Sequence, residues 1–71
     1  MPQMTRHGNH RRFKDIRREL GMSQKQLAQA LGVKTNTVYR WENEIMPMPL
    51  TAELAAEHIL LTKLLTDMGY I

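Results

Sequence analysis

The sequence contains no cysteine, which excludes disulfides and thiolate metal sites and fits a reducing compartment. It has no apolar run of the length a membrane helix needs, and none of signal-peptide length near its start. A cytoplasmic location with no membrane partner is expected from that. Strand-like alternation of apolar and polar residues is missing, as is any internal repeat, so the expected fold class is all-α. Aromatic residues are few, with one Trp, one Phe and two Tyr. At 71 residues the chain makes one domain with a marginal core, and chains this small usually lean on a staple or a partner.

Charge is present but unevenly spread. Residues 1–18 carry Arg6, Arg11, Arg12, Lys14, Arg17 and Arg18 against Asp15, a net of +5, and the rest of the chain is mildly acidic. A basic head on an acidic body suggests a polyanion partner on one side of the molecule, although a solvated leader and an ordinary charged helix face would give the same balance. Residues 1–9 lack periodicity and read as a disordered basic arm; residues 10–71 read as the folded domain.

Four helical segments are expected. In HRRFKDIRREL the apolar residues Phe13, Ile16 and Leu20 share one face, Asn9 is a plausible N-cap and Gly21 a stop. The basic residues Arg11, Arg12, Lys14 and Arg18 lie mostly off that face. Ser23 and Gln26 have the spacing of a capping box, Leu27, Ala28 and Leu31 form a buried side, and Gly32 can end that helix in the left-handed conformation. A third helix starts at Lys34 or Thr35. It turns Val38 and Trp41 inward and presents Thr35, Asn36, Tyr39, Arg40 and Asn43 outward. Pro47 and Pro49 reset the chain before a last helix from about Thr51 to Thr66.

Only Gly32, Val33 and Lys34 separate the second and third segments, which forces a tight angular pair of helices. Two short helices, a glycine-containing turn, and an outer face of amides, hydroxyls and one Arg describe a helix-turn-helix. A helix that enters a DNA major groove, about 12 Å wide, needs modest hydrogen-bonding side chains near its N-terminus. Thr35, Asn36 and Thr37 meet that need, and Arg40 can reach a guanine with two parallel bonds.

The sequence also resembles the Cro and phage-repressor type of helix-turn-helix regulators. The resemblance rests on Arg17, Leu20, Gly21, Ser23, Gln24, Leu27, Ala28, Leu31, Gly32, Val33, Val38, Trp41, Glu42 and Asn43 at fixed spacing. It covers roughly residues 13–49. It implies a compact lambda-repressor-like DNA-binding domain of four helices, with room for a fifth. By the same resemblance Thr35, Asn36 and Arg40 read base edges, with Tyr39 at a variable outer position that touches a base or sugar. Gln24 and Asn43 hold the DNA backbone, and Arg17 and Glu42 form a structural pair. Arg11 and Arg12 of the basic head join the expected backbone contacts.

Three positions depart from the family. Lys34 stands where a capping Ser or Thr is usual, so either Thr35 takes the cap or Lys34 contacts a phosphate. Glu44 stands where Gly is usual, so Asn43 is expected to take the left-handed cap. Ile45 and Met46 replace residues that are often basic, which weakens the phosphate clamp on that side.

Other chemistries are poorly supported. His7 and His10 stand three apart, but without Cys or a third ligand nearby they do not make a metal site. Asp15 and Glu19 are surrounded by Arg and suit surface ion pairs better than acid–base work, so no enzyme activity, metal or cofactor is expected.

In the last helix, Leu50, Leu54, Leu61, Leu64 and Met68 form one stripe, and Ala55, Ile59, Leu60 and Leu65 a second. The first and third helices can cover one stripe but not both. A dimer or partner surface of Ile45, Met46, Leu60, Leu64 and Met68 is therefore expected. The expected partners are double-stranded DNA and a second copy of the chain. The alternative is an antitoxin or adaptor that uses the fold mainly to bind another protein, such as a toxin or the transcription machinery.

Overall fold

A computed structural model of the protein describes residues 7–69. Four helices follow one another: α1 His10–Leu20, α2 Gln24–Leu31, α3 Thr35–Glu42 and α4 Leu50–Asp67. The described residues contain no strand, only an isolated antiparallel bridge between His7 and Pro49.

Local chemistry sets most of the helix ends. The Asn9 side chain accepts a hydrogen bond from the Arg12 amide at 3.0 Å and starts α1. Ser23 and Gln26 satisfy each other's backbone amides at 3.1 and 2.8 Å, the reciprocal capping box that starts α2. Gly21 and Gly32 adopt φ of 69° and 75°, and the residue after each bonds back to the helix: Met22 to the Arg17 carbonyl, Val33 to that of Ala28.

The end of α3 differs from expectation. Glu44, not Asn43, carries the left-handed backbone, with φ of 58°. Asn43 remains at φ −101° and uses its side-chain amide to donate to the Tyr39 carbonyl at 2.8 Å. The Ile45 amide then reaches the Arg40 carbonyl at 2.9 Å, a closure that demands the left-handed residue one position before it.

The core is formed by Phe13, Ile16 and Leu20 of α1, Leu27 and Ala28 of α2, Val38 and Trp41 of α3, Met48, and Ala52, Ala56 and Leu60 of α4. Phe13 meets Trp41 edge-to-face, with ring centroids 5.8 Å apart. Leu31, expected to be buried, is half-buried at the margin.

α4 packs chiefly against α1, and α2 is a further neighbour beyond the α1 and α3 expected to cover it. Its buried line is Ala52, Ala56 and Leu60, four residues apart. Neither leucine-rich stripe turns inward as a whole. Small side chains at 52 and 56 let the helix backbone approach its neighbours closely, and that excludes the bulkier stripe. Leu60, placed on the partner surface from sequence, is therefore a core residue, and Met46 is half-buried against the core.

Residues 7–9 are not free, so the expected disordered arm does not reach them. The Gly8 amide donates to the Met48 carbonyl at 2.7 Å, and the Asn9 amide donates to Glu53 Oε1 at 2.7 Å. A Cβ on Gly8 would lie 2.6 Å from the Met48 methyl and 3.1 Å from the Pro49 carbonyl oxygen. Glycine is what lets the strap lie this close to the α3–α4 loop. Arg6 lies outside the described residues.

Candidate nucleic-acid interface

α3 separates two jobs by helical phase. Val38 and Trp41 are buried, whereas Thr35, Asn36, Tyr39, Arg40 and Asn43 are exposed. The exposed set forms a surface of hydroxyl, amide, phenol and guanidinium groups on a helix whose other side is locked in the core. Lys34, not Thr35, occupies the N-cap position, and it makes no side-chain cap. The amides of Thr37 and Val38 turn back to the Lys34 carbonyl at 2.9 and 3.4 Å. With no side-chain acceptor at the cap, the first-turn N–H groups of Thr35 and Asn36 are a natural seat for an anionic oxygen.

A buried ionic cluster holds α3 in place. Arg17 Nε donates to Glu42 Oε2 at 2.7 Å and Arg17 Nη2 to Glu42 Oε1 at 3.0 Å. Arg17 Nη1 donates to the Met22 carbonyl at 3.0 Å, which ties the same guanidinium to the α1–α2 turn. Gln24 Nε2 donates to Glu42 Oε1, also at 3.0 Å. The Glu42 side chain is 1% exposed and that of Arg17 is 15% exposed. One carboxylate thus joins the end of α3 to α1 and to the first residue of α2. The Gln24 amide donates inward to Glu42, which orients the first turn of α2 beside α3.

The two arginines expected to hold the DNA backbone from α1 part company. Arg11 shares a surface cleft with Lys14, Arg18, Asn43 and Glu44 beside the end of α3. Arg12 points to the α4 side, where it lines a groove with Leu54, His58 and Leu61 and pairs with Glu19 at 3.5 Å. His10 pairs with Glu44 at 2.9 Å. No cluster of three metal-ligating side chains occurs among the described residues. Of the expected partner surface, Ile45, Leu64 and Met68 are exposed.

A family model for the helix-turn-helix matches residues 13–59, from the first buried residue of α1 to the middle of α4. That span contains the whole α2–α3 pair, its glycine turn and the Arg17–Glu42 cluster. The chain belongs to the Cro and phage-repressor helix-turn-helix family. No curated protein and no solved structure matches it. The helix-turn-helix domain implies DNA as a partner, and the family is typically non-enzymatic. No helix among the described residues is long and apolar enough to cross a membrane.

Lys14 and Arg18, to which the sequence assigns no DNA contact, stand in the same cleft as Arg11 and Asn43. The signal was available, because Arg11, Lys14 and Arg18 are spaced i, i+3, i+7 and so share one side of α1. Their position beside the end of α3, however, depends on how α1 crosses that helix.

Proposed function

We propose that the protein is a sequence-specific, double-stranded DNA-binding transcriptional regulator of the cytoplasm, a repressor that binds an inverted repeat as a homodimer. The observation that carries this reading is the exposed polar face of α3 on a helix clamped by Trp41 and by the Arg17–Glu42 cluster. A reading helix must hold its side chains at fixed depth in the groove, which a rigid mount supplies. Thr35, Asn36, Tyr39 and Arg40 read base edges. Gln24, Lys34 and Asn43 hold the flanking backbone, with the uncapped first turn of α3 offering its N–H groups to a phosphate.

Dimerisation is supported by the outer face of α4. Leu54, Leu61, Leu64 and Met68 are all exposed, with Leu61 at 55% and Met68 at 67%. Leu54 and Met68 each stand seven residues from Leu61, so an antiparallel pairing of two α4 helices about Leu61 sets Leu54 against the partner's Met68 at both ends. A self-complementary row of this kind suits a two-fold axis. It spans about 21 Å at 1.5 Å per residue. Two α3 helices held about 34 Å apart would meet successive major grooves on one face of the duplex.

A second reading, an antitoxin or adaptor that chiefly binds another protein, is favoured by Ile45, which is 63% exposed at the end of α3. It loses support from Met46 and Met48, which pack in or against the core. Selection of random duplex DNA by the purified protein at near-physiological salt tests the main reading. The expected product is an inverted repeat with half-sites about one helical turn apart. Salt-sensitive binding without enrichment would refute sequence-specific regulation.

A further inference from the structure

The cations of this domain divide into two groups. Among the described residues, Arg12, Arg17 and Lys63 are each within ion-pair distance of a carboxylate. Arg11, Lys14, Arg18, Lys25, Lys34 and Arg40 have no carboxylate within that distance among the described residues. The second group lies entirely on α1 and on the helix-turn-helix. Three of its members, Arg11, Lys14 and Arg18, form a row on α1 beside Asn43, at the C-terminal end of α3.

The acids near this row are Asp15, Glu42 and Glu44. Glu42 is committed to Arg17 and Gln24, and Glu44 contacts His10. The loop that continues from α3, residues 43–49, contains no Lys or Arg and includes Glu44. DNA passing the C-terminal end of α3 therefore finds no positive charge in the loop and three cations on α1.

We infer that Arg11, Lys14 and Arg18 are a backbone clamp that holds the DNA strand at the end of α3 in place of the α3–α4 loop. This rests on the DNA-binding reading above. Successive side chains at i, i+3 and i+7 stand about 5–6 Å apart along one helix face, a spacing that lets one strand engage more than one of them. Phosphate contacts fix register and orientation but carry no base information. The clamp sets how deeply Arg40 and Asn36 enter the groove without selecting a sequence.

The test compares the wild-type chain with Arg11→Gln/Lys14→Gln/Arg18→Gln by fluorescence anisotropy, on a selected duplex and on a scrambled one, across a salt series. Each phosphate contact contributes about 0.9 to the slope of log K against log salt, so the slope is expected to fall by about 2 to 3 on both duplexes. The ratio of the two affinities is expected to stay within about twofold, as for backbone contacts that do not read bases. Lys63→Gln, which removes a cation paired with Asp67 on α4, is expected to leave the slope unchanged. A thermal melt of each variant separates lost contacts from lost folding, and Arg11→Lys/Arg18→Lys is expected to keep the wild-type slope.

A wild-type slope in the triple variant, or an equal fall in the Lys63→Gln variant, would overturn the clamp. A wild-type chain that binds both duplexes equally would sink sequence-specific reading while leaving the clamp measurable. A chain that binds no duplex would sink both.

Discussion

Glu42→Ala tests whether the buried carboxylate is the mount of the reading helix. The substitution removes the acceptor of three hydrogen bonds at once, two from Arg17 and one from Gln24. The Arg17 guanidinium then keeps the Met22 carbonyl as its remaining partner in a site where it is only 15% exposed. Breaking a buried ion pair by deleting one member costs about 3–5 kcal/mol, because the other charge is left without compensation. The residual exposure of Arg17 favours the lower end, about 3 kcal/mol. A domain of this length has a total stability of about 4–11 kcal/mol, so the loss is a large share of it.

At about 4–8 °C per kcal/mol, the midpoint is expected to fall by about 12 °C or more in a melt followed by circular dichroism. The double substitution Arg17→Met/Glu42→Leu removes both charges and fills their space with apolar groups, and is expected to fall within about 1 kcal/mol of wild type. A single-variant loss under about 1 kcal/mol would mean that the pair behaves like a solvated surface bridge. A double variant as unstable as the single would show that packing, not the unpaired charge, sets the cost.

Three further outcomes follow from the same geometry. Glu44→Gly relieves a left-handed backbone that costs a non-glycine residue about 1–2 kcal/mol, and loses only an exposed contact with His10, so urea denaturation is expected to show a gain of about 1 kcal/mol; a loss of stability would refute strain at that turn. Leu61→Glu puts a charge at the centre of the proposed α4 seam, and sedimentation is expected to show a monomer whose melting point matches that of the wild-type protein under dilute conditions; a variant that stays dimeric would move the interface elsewhere. Arg40→Ala is expected to cost about 1–3 kcal/mol on the selected duplex and to relax one base position, and an unchanged preference at every position would remove Arg40 from base reading.

The parts of the fold that were legible in advance are those set by neighbours in the chain. The Asn9 cap, the Ser23–Gln26 box and the glycines at 21 and 32 each act within a few residues, so spacing alone reveals them. The inward phase of Val38 and Trp41 was equally plain, because a short helix with one apolar edge has one way to face a core. The left-handed residue after α3 is Glu44, one position beyond the Asn43 that the sequence suggests. Asn tolerates that conformation better than Glu, but the closure from Ile45 to Arg40 needed it at position 44.

α4 was the segment whose orientation the chain did not declare. Its apolar residues circle the helix, so periodicity offers several candidate faces, and only contact with α1 and α2 selects Ala52, Ala56 and Leu60. The same long-range geometry sends Arg12 toward α4 and Arg11 toward α3, though the two are adjacent in sequence. It also docks Gly8 on Met48 and Asn9 on Glu53, pairings 40 and 44 residues apart that no local rule anticipates. Sequence by itself determined the four helices, the caps of α1 and α2 and the polar face of α3, because those depend on backbone chemistry and helical phase. Tertiary structure alone decided which side of α4 is buried and which cations stand beside α3, because both depend on how closely packed helices exclude one another's side chains.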